Sequence, residues 1–211
     1  MSNKLFDIVS NVEGLYEGNL IHYFKLVFSA PNANNPDHNF RHMTHVLCRT
    51  YEGAKFCKYH KLFGKRRLQA LLIAALWHDY GHSGKMVNDA EEIVRTISFL
   101  RALILKEDKY LLPEIESLIR LTEFPHANTV LTLGAEILRD ADLSQVFSDV
   151  WIQQVIFGIS KEKNIDPLKF LQDEIGFLRQ IKFYSPWGKQ TFYPLVQDKI
   201  SEVRNLLRLV S

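Results

Sequence analysis

Apolar residues recur every three to four positions along nearly the whole chain, the spacing that lines one face of an α-helix. The pattern predicts helices over about 5–29, 36–59, 65–80, 88–106, 112–121, 129–148, 166–181 and 194–210, and a further helix that begins at Ile152. The run 182–184 is the only weak strand candidate. These elements predict an all-α fold, a compact multi-helix bundle formed by a single domain over residues 1–211.

Local signals place several of the helix starts. Pro36 fits the first turn of the second helix, with Asn34 or Asn35 as its cap. Asn88, with a glutamate three residues later, forms a capping-box pattern. Asp166, which stands directly before a proline, predicts the start of the helix over 166–181.

Composition narrows the class of protein. The 46% hydrophobic content supports a large core, and the formal net charge of +2 gives no strong case for nucleic acid or a membrane as a partner. Cys48 and Cys57 do not form a CxxC pair, which favours a reduced protein without a thiolate metal site. The sequence contains no signal-peptide core and no apolar run long enough to span a bilayer. A cytoplasmic location is the default expectation.

The strongest chemical feature is the pair His78–Asp79 at the end of the predicted helix 65–80. The residues one and two turns before each of them are alanine or leucine, which places both side chains at the end of a buried face. An ionised carboxylate in such a place is unfavourable unless it is paired or binds a metal. Taken alone, the pair is explained as well by an ordinary arrangement, either a buried His–Asp hydrogen bond or an exposed last turn, as by a metal site.

Three histidines, His38, His42 and His45, follow one another at spacings of four and three, which predicts one stripe of a helix. Imidazole is a ligand for first-row transition metals and a proton shuttle near neutral pH. The alternative is a solvated polar stripe near the start of a helix.

Asp142 interrupts an apolar stripe of the predicted helix 129–148, whereas Asp140 lies nearer the polar side and is expected to pair with a basic neighbour. A buried aspartate without a partner would strongly destabilise the fold. Together the three features give two imidazoles and two carboxylates from three helices: His42, His78, Asp79 and Asp142. Helix bundles build metal sites in this way, so the combination predicts a metal site.

The same residues form an ordered set of motifs. HNxxH at 38–42, HDxxH at 78–82 and ADLS at 141–144 resemble the signatures of the HD-domain superfamily of metal-dependent phosphohydrolases, especially its cyclic-nucleotide phosphodiesterase branch. The resemblance covers about residues 36–185. It implies that the first metal is bound by four ligands: His42, His78, Asp79 and Asp142. It also implies that Asp79 bridges to a second ion, so the expected cofactor is two divalent metal ions, with manganese, iron, zinc, magnesium, cobalt and nickel all open.

The resemblance also implies roles for residues around the metals. His38 corresponds to the general acid, Asn39 to a substrate contact beside it, and His82 to a histidine that contacts metal-bound water. His126 is either a second-metal ligand or an ordinary loop residue. Lys85 is either a phosphate contact or an exposed loop lysine.

The match departs from the family at the substrate side. In the cyclic-nucleotide branch, a glutamine followed three residues later by a phenylalanine holds the base. Here Glu174 and Phe177 have that spacing, but glutamate stands in place of glutamine, and Gln172 is an alternative counterpart. Phe177 could equally be a core residue. The departure leaves the substrate open within the class of nucleotide-like phosphate esters.

We therefore expect an enzyme that hydrolyses nucleotide-like phosphate esters through metal-activated water, with His38 as general acid. Its partner is a small-molecule phosphate ester, and the sequence leaves the oligomeric state open. Two alternatives are an HD-type di-iron oxygenase, in which His82 and His126 are extra ligands, and a non-catalytic ligand-sensing or scaffold domain.

Overall fold

The computed structural model describes residues 2–85, 88–124 and 131–210. The helices are α1 (Ser2–Val9), α2 (Ile21–Phe28), α3 (Phe40–Phe56), α4 (Tyr59–Phe63), α5 (Lys65–Trp77), α6 (Asp89–Leu103), α7 (Leu112–Arg120), α8 (Leu133–Leu143), α9 (Ser160–Glu162), α10 (Pro167–Gln180), α11 (Pro186–Phe192) and α12 (Val196–Val210). Short 3-10 helices cover Lys106–Leu111, Ser144–Phe147 and Tyr193–Leu195, and a π-helix covers Ile152–Ile159. These ranges contain no strand, which confirms the all-α prediction. Among the described helices, none is long and apolar enough to cross a membrane.

Helix α5 forms the centre of the bundle. Every residue from Leu68 to Trp77 is buried, because α3, α7, α4 and α2 pack around this helix. A helix that is apolar on all sides needs such a complete cover. Since α3 also packs against α8, the start of α3, the end of α5 and the end of α8 come together at one end of the bundle.

Two of the predicted helix starts are confirmed by their caps. The Asn88 side chain accepts a hydrogen bond from the backbone N–H of Ala90 at the start of α6. The Asp166 side chain accepts one from the backbone N–H of Lys169 at the start of α10. Local capping signals in the sequence therefore predict the starts of α6 and α10 correctly.

The helical region predicted over about 5–29 is not continuous. The chain forms two short helices there, α1 and α2, because Asn11, Gly14 and Gly18 between them adopt positive φ angles that a right-handed helix excludes. The run 182–184 is also not a strand.

Two further boundaries differ from the prediction. Helix α3 begins at Phe40 rather than at Pro36, and its cap is Asn39, which has an extended backbone. Helix α8 begins at Leu133, behind a Thr132 cap whose side chain accepts a hydrogen bond from the backbone three residues later, and ends at 143 in a 3-10 turn.

The π-helix over 152–159 is a feature that apolar periodicity does not reveal, since it differs from an α-helix by less than one residue per turn. Gly158 lies within it. A Cβ atom at this position would lie 2.8 Å from the carbonyl oxygen of Pro36, so the loop before α3 packs directly on the π-helix. Helix α9 continues from this segment and brings Glu162 to the same loop.

Candidate active site

Four side chains from three helices meet where α5 ends. His42 lies in the first turn of α3, His78 and Asp79 directly follow α5, and Asp142 lies in the last turn of α8. His42 Nε2 lies 3.1 Å from His78 Nε2, and Asp79 Oδ2 lies 3.1 and 3.0 Å from these two nitrogens. Asp142 Oδ1 lies 3.2 Å from the nitrogen of His42 and 3.7 Å from that of His78. We call these four residues the His/Asp cluster.

The spacing within the His/Asp cluster fits a metal ion. Ligand atoms at about 2.0–2.2 Å from a tetrahedral or octahedral ion are separated from their neighbours by about 2.8–3.6 Å. The ligand atoms of His42, His78 and Asp142 all lie within 4.8 Å of one another, and Asp79 reaches both imidazoles. The cluster can therefore hold a divalent cation with mixed nitrogen and oxygen ligands.

Both imidazoles of the cluster are oriented by hydrogen bonds on their outer sides. His42 Nδ1 contacts the side-chain oxygen of Gln145, and His78 Nδ1 lies 2.9 Å from the backbone oxygen of Ala75. Because both partners are acceptors, each Nδ1 carries a proton. Each Nε2 is then directed at the centre of the cluster, which is the arrangement typical of metal-binding histidines.

The electrostatics of the cluster also favour a cation. Burial opposes a charge on His78, but Asp79 and Asp142 outweigh it and raise its pKa to about 10. The same balance raises the pKa of His42 well above its ordinary value. Burial also opposes ionisation of Asp142, yet hydrogen bonds from the two imidazoles lower its pKa. Positive charge, from protons or from a metal ion, is needed to balance the two carboxylates.

His38 lies beside the cluster and is held by Glu162. Its Nδ1 lies 2.5 Å from Glu162 Oε2, while Glu162 Oε1 accepts the backbone N–H groups of Asp37 and His38 at 2.9 and 3.1 Å. Burial lowers the pKa of His38, but the bond to Glu162, with Asp79 and Asp37 nearby, outweighs it and raises the pKa to about 9. His38 is therefore protonated at neutral pH, and Nε2 is the nitrogen that Glu162 leaves available.

His82 stacks on His38. The ring centroids are 3.8 Å apart and the planes are inclined by 16°. His82 Nδ1 accepts a hydrogen bond from the backbone N–H of Gly84. By distance alone, His38, His82 and Glu162 form a second group that could hold an ion. Imidazole lone pairs lie in the ring plane, however, so two parallel rings cannot both direct a lone pair at one ion.

Asn32 joins the two groups of residues. Its Nδ2 donates to the backbone oxygens of His38 and Asp79 at 2.7 and 2.8 Å, and its Oδ1 accepts the backbone N–H of Gly81 at 2.8 Å. The side chain is almost fully buried. Asn32 therefore fixes the loop before α3 against the turn after α5.

Two members of the cluster, His42 and Asp142, line one cavity of about 610 Å³ together with His38. A cavity of this size accommodates a small-molecule ligand such as a nucleotide. Other predicted residues on its lining are His82, Lys85, Glu174 and Phe177. Lys85 is exposed and Phe177 is partly buried. The cavity therefore brings most of the predicted site residues to one space.

Two of the predicted substrate-binding residues, Gln172 and Asn39, do not line the cavity. Gln172 is exposed on α10 and does not line the cavity, so Glu174 occupies the cavity wall instead. The Asn39 side chain caps α3 by accepting the backbone N–H groups of Arg41 and His42, and its Nδ2 donates within the protein. Asn39 therefore has a capping role, and the substrate contact stays a prediction. His126 lies outside the described residues.

The predicted helical stripe of histidines is also wrong. His38 precedes α3. The centroid of its ring lies 5.9 Å from the centroid of the His42 ring, because the loop folds back over the first turn. His45 Nε2 instead lies 3.1 Å from the hydroxyl oxygen of Ser144.

The expectation that Asp140 lies nearer the polar side of its helix is wrong as well. Asp140 is fully buried and accepts hydrogen bonds from the backbone N–H groups of Tyr184 and Ser185 at 2.8 Å. Its carboxylate therefore anchors the chain before α11 and does not pair with a basic neighbour.

Sequence reasoning missed Glu162, Gln145 and Asn32. Glu162 stands between two lysines, a pattern typical of a solvated helix turn, and Gln145 follows the ADLS motif directly. Their roles depend on contacts between distant segments of the chain, and the spacing of residues along the sequence does not reveal such contacts.

No protein-family model matches the chain, and no curated protein gives a significant match to it. The all-helical fold and the His/Asp cluster are compatible with an HD domain.

Proposed function

We propose that this protein is a metal-dependent phosphohydrolase that acts on nucleotide-like phosphate esters. The observation that carries the proposal is that two groups meet at one cavity: a His/Asp cluster suited to a cation, which reaches the cavity through His42 and Asp142, and a protonated His38 held by Glu162. Phosphoester hydrolysis needs both, because negative charge develops on the phosphoryl oxygens while the leaving oxygen needs a proton.

His42, His78, Asp79 and Asp142 would hold the metal ion. A divalent ion there would act as a Lewis acid on the phosphoryl group and lower the pKa of water. Asp79 is only partly buried and reaches both imidazoles, which supports its proposed role as a bridge to a second ion.

His38 is the proposed general acid. Glu162 engages Nδ1, keeps the ring charged and leaves Nε2 to donate a proton to the leaving oxygen. Stacking against His82 fixes the plane of the ring. Lys85, exposed at the cavity, supplies positive charge for the phosphate, and Phe177 supplies an apolar surface for the rest of the substrate.

The ordered HNxxH, HDxxH and ADLS motifs support assignment to the HD-domain superfamily, whose cyclic-nucleotide phosphodiesterases the chain resembles. The alternative of a di-iron oxygenase needs additional histidine ligands for its second iron. His82 and His126 would be those ligands, whereas the charged His38 imidazole held by Glu162 beside the cluster favours proton transfer to a leaving group.

The test is a screen of the purified full chain against nucleotides, cyclic nucleotides and generic phosphate esters, with each candidate divalent metal added in turn. His78→Ala and Asp79→Ala should each abolish both stoichiometric metal binding and turnover. His38→Ala should retain the metal and lose about 100- to 10,000-fold in rate, the usual contribution of a general acid.

His45→Ala is the matched control, because His45 lies one turn beyond His42 on α3 but bonds to Ser144 rather than to the cluster. It should retain both metal and turnover. The proposal fails if the wild-type chain binds no stoichiometric divalent metal, or if it binds the metal and hydrolyses no phosphate ester in the screen.

A further inference from the structure

Glu174 is a buried acid on the wall of the cavity. Its side chain is 4% exposed, and its Oε1 has no hydrogen-bond partner among the described residues. Phe170, one turn before it on α10, and Phe177, one turn after it, line the same cavity. The α10 wall therefore combines a carboxyl group with apolar ring surfaces.

Lys199, the cation whose charge acts on Glu174, is already engaged. Lys199 Nζ lies 2.5 Å from Glu202 Oε2 and 4.4 Å from the centre of the Trp151 ring. Burial raises the pKa of Glu174 to about 7, while Lys199 opposes this rise. A buried carboxyl oxygen without a partner destabilises a protein, so a ligand that supplies hydrogen-bond donors would remove an unfavourable state.

We propose that Glu174 selects a guanine base in the substrate of the phosphohydrolase proposed above, on which this inference rests. An ionised carboxylate is an acceptor on both oxygens and has no donor. Guanine carries two adjacent donors, N1–H and the N2 amino group, on one edge. Hypoxanthine carries one of them, and adenine places an acceptor beside its amino group. The phenylalanines of α10 supply the apolar surface on which a base ring packs.

Calorimetric titration of the full chain with guanosine, inosine and adenosine 5′-monophosphates tests the inference. The titrations are run at about pH 8, where the carboxyl is mainly ionised. Guanosine monophosphate should bind at least about 10-fold tighter than inosine monophosphate, because one base-edge hydrogen bond discriminates by this order. Adenosine monophosphate should bind more weakly still.

Glu174→Gln has nearly the same shape and should remove the preference for guanosine over adenosine monophosphate, because one acceptor is replaced by a donor. Asp198→Asn is the matched control, since it neutralises an exposed carboxyl on α12 that does not line the cavity, and it should keep the preference. Thermal unfolding of both variants verifies that they are folded.

Equal binding of the three nucleotides would overturn the inference. So would a Glu174→Gln variant with an unchanged binding ratio, in particular one that is only more heat-stable, because Glu174 would then be a structural group. Failure of the proposed function is detected by a separate assay. The wild-type chain is tested for hydrolysis of bis(4-nitrophenyl) phosphate, an ester that carries no base. If no ester is hydrolysed while binding prefers guanosine through Glu174, the hydrolase proposal fails and only the guanine selectivity of Glu174 stands.

Discussion

Glu162 Oε2 lies 2.5 Å from His38 Nδ1, although 124 positions separate the two residues in the sequence. The contact joins helix α9 to the loop before α3. The other oxygen of Glu162 holds the backbone N–H groups of Asp37 and His38. A single carboxylate therefore sets both the orientation of the His38 ring and its charge.

The first prediction concerns Glu162→Gln. A neutral amide stabilises the imidazolium less, so the pKa of His38 should fall from about 9 towards its ordinary value of 6.5. The acid form exists below this pKa and is lost as the pH rises through it. The alkaline limb of kcat should therefore move to lower pH, and the rate at about pH 8 should fall by about 10- to 100-fold. A pH profile of kcat measures the shift.

Metal content should stay unchanged in Glu162→Gln, because Glu162 does not belong to the His/Asp cluster. The double variant with His38→Ala should be no slower than His38→Ala alone, since Glu162 acts through His38. An alkaline limb that does not move would contradict the positioning role.

The second prediction concerns Gln145→Leu. The side-chain oxygen of Gln145 contacts His42 Nδ1 and fixes the tautomer that presents Nε2 to the cluster. Loss of such an outer hydrogen bond weakens metal binding by about 10- to 100-fold. Competition with a chelating dye measures the affinity. Gln153→Leu, at an exposed position of the π-helix, should bind metal like the wild type; equal affinity in both variants would refute the role of Gln145.

The third prediction separates the two roles considered for Asn39. If Asn39 acts as the cap of α3, its replacement by alanine should lower the free energy of unfolding by about 0.5–2 kcal/mol. Asn39→Asp keeps the acceptor for Arg41 and His42 but loses the donors to Asn35 and Pro36, so it should recover part of the loss. Urea unfolding measures both. A raised KM with unchanged unfolding free energy would instead indicate a substrate contact.

The sequence was sufficient to predict the helical class and the four residues that meet in the His/Asp cluster. Helical class follows from a short-range pattern of apolar residues. Asp142 and the His78–Asp79 pair stood out because polar groups at the ends of apolar stripes need partners. Both signals are local, so they do not depend on how the helices pack.

The residues that orient the site residues could not be predicted from such local signals. Glu162 and Gln145 act through contacts made between distant segments, and Asn32 lies in a stretch that reads as an ordinary turn. His38 was placed near His42 for the wrong reason, since it precedes the helix rather than lying on it. The capping role of Asn39 was not predicted either, because capping by Asn34 or Asn35 fitted the sequence equally well.

The last prediction tests whether the π-helix positions Glu162. A Cβ atom at position 158 would lie 2.8 Å from the carbonyl oxygen of Pro36 and 3.1 Å from Asp37 Cβ. Gly158→Ala should therefore push the loop before α3 away from the π-helix and lower the free energy of unfolding by about 1–3 kcal/mol. It should also lengthen the contact between Glu162 and His38 and thereby lower the pKa of His38.

Gly176→Ala is the control for this change. Gly176 lies within α10, and apart from its chain neighbours and the backbone of its own helix, a Cβ atom there would have no atom within 4 Å. Alanine at this position should raise the free energy of unfolding by about 0.5–1 kcal/mol and leave the His38 pKa unchanged. Urea unfolding and NMR titration of the imidazole signals give both quantities. If Gly158→Ala is as stable as the wild type and titrates like it, close packing at Gly158 does not position Glu162 against His38.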